Sequence, residues 1–363
     1  MKVVLLHDWL NGFRGGERVL EVFCELFPDA PIYTLVHKKG STSEIIESRE
    51  IHTSGLQGMP GGVDGYRKYL PLMPHFAQGI DLPLDTDLVL SSSHCVIKAV
   101  PKPRGSKHIC YIHSPMRYIY DQFDSYFGPT APFYQRIGAK LFRGYLQTFD
   151  QGTNNNVDNF IANSHFVKER VQKYYKREAD VIHPFVDLAD FEKFKDQAPS
   201  KGEHYIVLSA FAPNKKVDLA IEAFNKMGLP LKVIGSGQQN EFLRSIAKEN
   251  IHFLGNVSRE EVIGELSTAK ALIFPGVEDF GIVPLESLAA GTPLIAYKKG
   301  GVLETQTDET AEFIEEQTLD SLVAAIQRFE ERTFDHDVLV KRANDFSKER
   351  FKQQILDYIQ NQN

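Results

Sequence analysis

The stretch that decides the fold is AKALIFPGVEDFGIVPLESLAAGTPLIAY, residues 269–297. It contains a short, wholly apolar run at 271–274, which is typical of a buried strand in a parallel sheet. Pro284 suits the first turn of a helix, so the pattern predicts a helix that begins near Ile282. The free backbone N–H groups of such a helix face the loop 279–281 and can bind an anion, most often a phosphate.

Two carboxylates, Glu278 and Glu286, flank this turn. Glu278 falls in the loop at the carboxyl end of the predicted strand, and Glu286 lies about a turn into the helix, so both can reach one ligand in one crevice. A purely structural interpretation stays open at this point. Strand–loop–helix units with a glutamate near the helix start are common, and Glu286 would also interact favourably with the helix dipole.

Length and composition limit the classes of function. The 363 residues, 42% hydrophobic and 25% charged, are enough for two ordinary globular domains. The net charge of −7 argues against a nucleic-acid binder. Cys24, Cys95 and Cys110 are widely spaced in apolar surroundings, which suits buried free thiols in a reducing compartment. With no signal peptide and no charge-free run of membrane-spanning length, we expect a cytoplasmic protein.

Strand-like and helix-like segments alternate along the chain, which predicts two doubly wound α/β domains. The predicted strands are 3–6, 31–36, 88–90, 108–112 and 159–163, then 205–209, 231–234, 251–254 and 271–274. The predicted helices are 17–27, 167–175, 217–227, 241–249, one that ends at 266, 318–329 and 338–358. Ser164 is a predicted helix cap, Ser258 and Glu261 form a predicted capping box, and 183–187 is the predicted linker.

The segment 62–82 mixes large apolar residues with Arg67, Lys68 and His75. This composition suits a helix that lies at a membrane interface. A helix that packs on its own domain is the alternative interpretation.

Two Rossmann-like domains imply a ligand held in a cleft between them. A dinucleotide site needs G-x-G-x-x-G after the first strand and an acidic residue at the end of the second. This chain has Gly12, Gly15 and Gly16 and ends its second predicted strand in His37-Lys38, and it contains no Walker sequence. NAD binding and ATP hydrolysis are therefore disfavoured.

Metal binding is disfavoured as well. The acid-x-acid sequence of Asp85 and Asp87 resembles a metal-holding pattern, but it directly precedes the strand 88–90, which favours solvated carboxylates. No histidine and cysteine cluster has metal-ligand spacing, so the sequence predicts a site without metal.

Three further candidates lie in loops that follow predicted strands. Gly15-Gly16 would let backbone N–H groups approach a phosphate or sugar closely, although a tight turn also requires glycine. Lys215 lies where a cation would neutralise a diphosphate, although a solvated lysine is equally consistent with this position. His113 could hydrogen-bond a sugar hydroxyl or a departing oxygen, or serve the structure alone.

Together these residues resemble the retaining glycosyltransferases of family four, and the likeness covers nearly the whole chain. Its most specific part is the E-x7-E element from Glu278 to Glu286, followed by Ala-Ala-Gly-Thr-Pro and by Gly300-Gly301. The resemblance implies the GT-B fold, in the α/β class, with two facing Rossmann-like domains and a deep interdomain cleft. The expected boundaries are 1–184 for the acceptor-binding domain, 185–345 for the donor-binding domain and 346–363 for a helix packing back on the first domain.

The resemblance also implies roles for single residues. Glu278 would contact the donor sugar, with His113 near the transferred sugar, and these two are the expected catalytic residues. Glu286 would bind the ribose hydroxyls and Lys215 the diphosphate. The remaining expected donor contacts come from backbone atoms of Phe280, Gly281, Ile282 and Val283 and from the glycine loop of Gly15 and Gly16.

In one respect the chain departs from the family. The family usually has an arginine five residues before the lysine, and this chain has Ala210. Some of the phosphate charge must then be met by other groups or by fewer contacts. Arg14, Arg117 and Lys216 are the candidates to supply the missing charge.

The strings His7-Asp8-Trp9-Leu10, Arg14-Gly15-Gly16-Glu17 and YIHSPMRY at 111–118 are most similar to bacterial mannosyltransferases of O-antigen and exopolysaccharide assembly. This implies GDP-mannose as donor, a glycan or lipid-linked acceptor, and peripheral contact with the cytoplasmic face of the inner membrane. No cofactor is expected, because the nucleotide sugar is a substrate. The alternatives are a UDP-sugar donor, a sugar-nucleotide epimerase with the same fold, and a non-catalytic sugar-nucleotide-binding subunit.

Overall fold

The computed structural model describes residues 1–128, 133–194 and 202–362. The chain divides into two compact units, Met1–Ile182 with Ile355–Asn363 and His183–Gln354. Each unit contains one sheet in which all paired strands run parallel. This confirms the predicted α/β class with two Rossmann-like domains.

The first unit is built on a seven-stranded sheet of order β3-β2-β1-β4-β5-β6-β7. Its strands are β1 (Val3–His7), β2 (Ile32–Thr34), β3 (Ile51–Thr53), β4 (Leu88–Ser93), β5 (Lys107–Ile112), β6 (Asn159–Ala162) and β7 (Asp180–Val181). Its helices are α1 (Gly15–Leu26), α2 (Glu44–Glu47), α3 (Met73–Gln78), α4 (Phe123–Phe127), α5 (Phe133–Gly152) and α6 (His165–Tyr175). The strand order reverses between β1 and β4, and the loops that follow these strands flank the switch point.

The second unit has a six-stranded sheet of order β10-β9-β8-β11-β12-β13. Its strands are β8 (Tyr205–Leu208), β9 (Leu231–Ile234), β10 (Ile251–Gly255), β11 (Leu272–Phe274), β12 (Leu294–Tyr297) and β13 (Ala311–Ile314). The helices after β7 are α7 (Ala189–Glu192), α8 (Val217–Met227), α9 (Asn240–Ile246), α10 (Arg259–Thr268), α11 (Ile282–Ala289), α12 (Val302–Thr305), α13 (Leu319–Glu330), α14 (His336–Asn344) and α15 (Lys348–Asn361). Here the switch point lies between β8 and β11.

Strand β8 of the second sheet is apolar on both faces, which is typical of a strand in a covered parallel sheet. Tyr205 and Val207 of β8 pack into one buried cluster, whereas Ile206 between them packs into another. Successive side chains of a strand point to opposite faces, so β8 contributes to a core on each side of the sheet.

Several helices begin or end at the capping residues that the sequence predicts. Ser164 accepts the Val167 N–H at 3.0 Å and caps α6. Ser258 and Glu261 form the predicted capping box of α10. Gly228 has a φ of 70°, a left-handed conformation that glycine adopts readily, and it ends α8. The three cysteines are free and buried, as expected.

The prediction of a single helix over 62–82 is wrong. The segment forms a 3-10 helix at Tyr66–Leu72, which contains Pro71, and then the short helix α3. Tyr66, Met73 and Ala77 are buried in the core of the first unit. The segment therefore packs on its own domain, which agrees with the alternative interpretation, although Leu72 is 49% exposed.

The prediction of one final helix over 338–358 is also wrong in detail, because this segment contains parts of two helices, α14 and α15. The break lies at 345–347, where the Phe346 carbonyl accepts the Val186 N–H at 3.0 Å. The division between the units follows Ile182, and residues from Ile355 onward belong to the first unit. Within that unit, the Tyr358 hydroxyl donates to Asp180 at 2.9 Å.

Helix α5, the longest helix in the described residues, has no counterpart in the sequence predictions. It contains Gly138 and Gly144, and several of its large apolar residues are exposed, which blurs the periodicity expected of a helix packed on a core. Among the described residues, no helix is both long enough and apolar enough to cross a membrane.

Candidate functional site

Two residues predicted for the donor site meet at the switch point of the second unit. Lys215 lies in the loop that follows β8, and Glu278 lies in the loop that follows β11. The Lys215 Nζ forms an ion pair with the Glu278 Oε1. Because ligands of open α/β sheets bind outside the carboxyl ends of the strands at this point, the pair lies where a ligand is expected.

Glycines allow the loops around this pair to approach one another. A Cβ at Gly276 would lie 2.9 Å from the Lys215 Cα, and one at Gly301 would lie 2.4 Å from the Asp279 carbonyl oxygen. Real side chains do not tolerate such distances. The Gly301 N–H also donates to the Glu278 carbonyl at 3.0 Å, so the loop after β12 supports the backbone that carries the carboxylate.

Helix α11 begins directly after this loop, as predicted. Its N-cap residue, Gly281, has a φ of 91° and offers no side chain to cap the helix. The first helical N–H groups, on Ile282 and Val283, have no carbonyl one turn earlier to bind. Phe280 is buried against Phe346, with ring centroids 6.1 Å apart, and thereby anchors the start of the helix. The result is a positively polarised helix end, which favours anions.

Glu286 is buried within α11 and has a different partner from Glu278. Its Oε1 lies 2.6 Å from the Nη1 of Arg259, which also pairs with Asp190 at 3.0 Å. Sequence reasoning missed Arg259, which follows Ser258 of the capping box and lies 27 residues from Glu286. No local signal connects these two positions.

The candidates for the missing phosphate charge lie in different places. Lys216 follows Lys215 directly, has a φ of 54° and is the N-cap residue of α8. Arg14 and Arg117 belong to the first unit. Of the three, the structure therefore places only Lys216 beside Lys215 in the chain.

The predicted residues of the first unit gather around its own switch point. Ser92 of β4 bridges two imidazole rings, because its Oγ lies 2.8 Å from the His113 Nε2 and 3.2 Å from the His7 Nδ1. A hydroxyl can donate to one ring and accept from the other. Gly16 is adjacent, since a Cβ there would lie 3.7 Å from the His113 Nε2.

Sequence reasoning did not identify Ser92 and His7 as partners of His113. The available signals were the Ser91-Ser92-Ser93 run at the end of β4 and the position of His7 at the end of β1. Because the carboxyl ends of parallel strands meet at one edge of the sheet, such polar ends are candidates to meet one another.

Asp8 ties the two loops at this switch point together. Its buried carboxylate accepts the backbone N–H groups of His94, Cys95 and Ile97 at 2.7, 2.9 and 2.9 Å. The loop after β4 is thereby fixed to the loop after β1. A carboxylate that accepts several backbone N–H groups is a strong local constraint.

His113 is electrostatically disposed to remain neutral. Burial lowers the pKa of His113 well below its ordinary value, and the nearby charges of His94, His7 and Arg117 lower it further. A neutral imidazole can donate one hydrogen bond and accept another, which suits contact with hydroxyl groups.

The acid-x-acid sequence lies elsewhere. The Lys2 Nζ lies 2.6 Å from the Asp85 Oδ1, and the Lys2 backbone N–H donates to Asp87 at 2.6 Å. Both carboxylates are exposed and precede β4, at the amino end of the strands. This confirms the interpretation as solvated carboxylates at a strand entry.

Two family descriptions match the chain. Residues 15–190 match the Glycosyltransferase Family 4 model, and residues 189–352 match the model of Glycosyl transferases group 1. Together the two matches cover most of both units.

Curated relatives match part of the chain at modest identity. An uncharacterized glycosyltransferase of Methanocaldococcus jannaschii is 29% identical over 42% of this chain and 44% of its own length. The alpha-1,3/1,6-mannosyltransferase of Saccharomyces cerevisiae is 29% identical over 47% of this chain and 45% of its own length. A GDP-mannose-dependent mannosyltransferase of Corynebacterium glutamicum that acts on a phosphatidylinositol monomannoside is 32% identical over 31% of this chain and 34% of its own length. The chain thus spans less than half the length of each of these relatives.

Solved structures resemble the whole chain. Sucrose-phosphate synthase from Thermosynechococcus elongatus has a TM-score of 0.72 at 16% identity and 99% coverage of both chains. A lipopolysaccharide outer core galactosyltransferase has a TM-score of 0.70 at 13% identity and 100% coverage of both chains. HepE of Anabaena, crystallised with UDP, has a TM-score of 0.68 at 14% identity, covering 99% of this chain and 100% of its own. At these identities the likeness shows the fold.

Proposed function

Because the chain belongs to glycosyltransferase family four and has the GT-B fold, we propose that it transfers a hexose, with retention, from a nucleotide sugar to an acceptor. The observation that carries the proposal is the meeting of Lys215 and Glu278 at a switch point, in the loops around the N-terminus of α11. A cation, a carboxylate and free helix N–H groups are what a diphosphate-linked sugar requires of its site.

In the proposed complex, donor binding breaks the ion pair that Lys215 and Glu278 form in the free protein. The diphosphate takes the Lys215 ammonium and the N–H groups of Ile282 and Val283, with the helix dipole of α11 adding to the attraction. Glu278 is then released to accept hydrogen bonds from the sugar hydroxyls. Glu286, which is already oriented by Arg259, accepts the ribose hydroxyls.

The proposed reaction takes place on one face of the sugar. Retaining hydrolases use a carboxylate nucleophile, but here both glutamates are assigned to hydroxyl groups, which leaves neither for that role. The acceptor oxygen forms a bond to the anomeric carbon as the bond to the diphosphate breaks, and the leaving diphosphate takes the acceptor proton. Catalysis then consists of positioning and of charge stabilisation by Lys215 and the helix N–H groups. We also propose that His113, which Ser92 orients, takes part in catalysis.

We propose GDP-mannose as the donor. The names of two relatives support mannose, and one of them specifies GDP-mannose. HepE binds UDP, so a UDP-sugar is the competing assignment. Thermal-shift measurements of the purified chain with GDP, UDP and ADP separate these donors, because a ligand that binds only the folded state raises the melting temperature. A large shift with UDP and none with GDP would overturn the GDP assignment.

The proposed acceptor is a glycan or a lipid-linked glycan of bacterial surface polysaccharide synthesis, with the protein in the cytoplasm and in peripheral contact with the membrane. The phosphatidylinositol monomannoside acceptor named for one relative supports a lipid-linked class. We also propose that no metal or cofactor takes part, since Lys215 and the helix N–H groups supply the charge for the diphosphate. Activity unchanged by EDTA is the expected result, and activity restored only by a divalent cation would contradict it.

Two other functions fit the same fold. A sugar-nucleotide epimerase would convert the donor to an epimer without any acceptor, and analysis of the donor after incubation detects this. A non-catalytic binding subunit would bind the donor and leave it intact. Transfer or slow hydrolysis of the donor by the purified chain excludes that second alternative.

A further inference from the structure

A buried carboxylate completes the group of side chains at the switch point of the first unit. Glu17, the third residue of α1, is 5% exposed, and its Oε1 lies 3.9 Å from the Nε2 of His7. The same histidine bonds through its Nδ1 to Ser92, which bonds in turn to the His113 Nε2. A carboxylate, an imidazole, a hydroxyl and a second imidazole therefore form one continuous series, of which only His113 is partly exposed.

The position of Glu17 is fixed by the start of α1. Its other oxygen, Oε2, accepts the Arg14 backbone N–H at 3.0 Å, which is the contact that a glutamate in the third helical position makes in a capping box. This bond leaves the Oε1 for His7. Gly16 leaves room for the ring, since a Cβ there would lie 3.4 Å from the His7 Cε1. The sequence at 14–17 thus places a carboxylate beside a buried histidine.

The charge of Glu17 decides which nitrogen of His7 carries the proton. Burial raises the pKa of Glu17, but its contacts with His7 lower it, and the net shift is downward, so the carboxyl is ionised at neutral pH. In the part of the chain that the structure describes, the His7 Nε2 has no hydrogen-bond partner. A proton on this nitrogen is attracted to the carboxylate, whereas a lone pair would be repelled by it. The neutral His7 ring therefore has its proton on Nε2 and a lone pair on Nδ1.

This lone pair sets the direction of both hydrogen bonds of Ser92. The hydroxyl donates to the His7 Nδ1 at 3.2 Å, and its oxygen accepts the His113 Nε2–H at 2.8 Å. A second acceptor near the hydroxyl, the Gly16 carbonyl, is more distant, at 3.5 Å. Burial and the charges of neighbouring groups lower the pKa of His113 well below its ordinary value, so this ring is neutral and carries one proton. With that proton on Nε2, the His113 Nδ1 has a lone pair.

We propose that Glu17 and His7 are positioning residues which, through Ser92, fix His113 in the tautomer whose Nδ1 accepts a hydrogen bond from a substrate hydroxyl. No residue in the described part of the chain hydrogen-bonds to this Nδ1. The inference rests on the proposed function for its ligand, which is a sugar. It adds a requirement to that function, because the hydroxyl beside His113 must donate its proton to the hydrogen bond and not accept one.

Nitrogen-15 NMR of the full chain, labelled on histidine, measures the tautomer directly. At about pH 8 a histidine with an ordinary pKa is neutral, so each ring shows one protonated and one unprotonated nitrogen. The signals of His113 are assigned by their loss in His113→Gln. We expect this ring to be protonated on Nε2, and a ring protonated on Nδ1 would overturn the proposal.

Glu17→Gln tests the carboxylate with little change in shape. The carbonyl oxygen of the new amide still accepts the Arg14 N–H, which keeps the capping box and turns the NH2 group toward His7. A donor in that place favours a lone pair on the His7 Nε2, so we expect the hydrogen bonds of Ser92 to reverse and His113 to be protonated on Nδ1. Glu21→Gln, one turn further along α1, is the matched control and should keep the wild-type tautomer. An unchanged tautomer in Glu17→Gln would overturn the proposal.

Steady-state kinetics tests whether the tautomer matters for transfer. We expect Glu17→Gln to lower kcat by about tenfold with little change in the donor KM, and Glu21→Gln to match wild type. In a His113→Ala background, Glu17→Gln should have no further effect, because it acts only through that ring. A further loss in that background, or equal losses from Glu17→Gln and Glu21→Gln, would identify a structural effect and defeat the proposal.

Slow hydrolysis of the donor without acceptor identifies the hydroxyl. If the hydroxyl belongs to the donor sugar, Glu17→Gln lowers hydrolysis and transfer together, and if it belongs to the acceptor, only transfer falls. Both results support the proposal, whereas unchanged hydrolysis with unchanged transfer contradicts it.

The NMR measurement needs no turnover, so this inference and the proposed function can fail separately. A chain that transfers sugar with His113 protonated on Nδ1 would defeat only the inference. A chain with the expected tautomer that neither binds nor transfers a nucleotide sugar would defeat only the proposed function.

Discussion

Glu278 and Glu286 have different partners, and the difference predicts different kinetic defects. Glu278 pairs with Lys215 at the switch point, whereas Glu286 is buried beside Arg259. We expect Glu278→Ala to lower kcat by about a hundredfold, because the transferred sugar loses the group that positions it. Glu286→Ala should mainly raise the donor KM, by about tenfold, because ribose binding is the same in ground and transition states. Steady-state kinetics measures both, and full activity in Glu278→Ala would contradict its assigned role.

Ser92 is a positioning residue in the same account. Without its hydroxyl, the His113 ring loses a hydrogen bond of 2.8 Å and with it a defined orientation. We expect Ser92→Ala to lower kcat by about tenfold with little change in the donor KM. Ser93→Ala on the same strand is the control, since the Ser93 hydroxyl bonds to no partner in the described part of the chain. Equal defects in the two variants would indicate a structural effect rather than positioning.

His108 makes the stability of the fold depend on pH. Burial lowers the pKa of His108 to about 4, and its two ring nitrogens are already bonded, to Ser91 at 2.8 Å and to the Asn156 carbonyl at 3.0 Å. The unfolded chain, with a histidine pKa of about 6.5, therefore binds more protons than the folded chain between these values. Folding stability must fall as the pH falls through this window.

The expected loss from His108 alone is about 2 kcal/mol between about pH 7 and about pH 5. His108→Asn retains a donor for the Asn156 carbonyl and cannot titrate. Urea unfolding at the two pH values should therefore show a smaller pH dependence in the variant than in wild type. An identical pH dependence would show that His108 is not the group responsible.

At the residue scale, the sequence motif identified the charged groups but not all of their partners. Lys215, Glu278 and Glu286 lie in a recognisable order along the chain. Arg259 and Ser92 act through contacts with residues 27 and 21 positions away, and such contacts depend on strand order rather than on local sequence.

At the scale of elements, the loops of the second unit depend on glycine. Gly301→Ala would place a Cβ 2.4 Å from the Asp279 carbonyl oxygen and from the Phe280 Cα, so the loop that carries Glu278 has to move. We expect a loss of about 1–3 kcal/mol in stability, and donor binding weakened by at least about tenfold. Gly58→Ala, where a Cβ meets nothing within 4 Å, is the control. Wild-type donor binding in Gly301→Ala would contradict this packing.

The predicted elements match the structure where the apolar periodicity, the capping residues and the turn residues indicate the same bounds. Helix α8 has the bounds predicted, 217–227, because an apolar periodicity ends at Gly228. The single helix predicted over 62–82 is wrong because that prediction relied on composition and neglected Pro71, which interrupts a regular helix. Helix α5 was not predicted because several of its large apolar residues face outward. The helix predictions relied on the apolar periodicity of helices that pack on a core.

At the scale of the whole molecule, both units have the same arrangement of polar groups at a switch point of the sheet. Both sheets reverse their strand order once, and at each reversal the chain places polar groups: Lys215 and Glu278 in the second unit, His7 and Ser92 in the first. The alternation of strands and helices was sufficient to predict this architecture. The exact division after Ile182, and the sharing of the last helix between units, depend on tertiary contacts that no local pattern specifies.

The central claim is that Lys215 holds the diphosphate of a nucleotide sugar, and calorimetric titration of GDP, UDP and ADP into wild type and Lys215→Gln tests it most directly. We expect GDP to bind wild type and to bind Lys215→Gln at least about tenfold more weakly, because the charge-assisted contact is lost. Lys39→Gln, which removes an exposed lysine of the first unit, should bind as wild type does. Binding of UDP alone would change the donor and leave the role of the lysine intact. Equal affinity in wild type and Lys215→Gln, or no binding of any nucleoside diphosphate, would contradict the account.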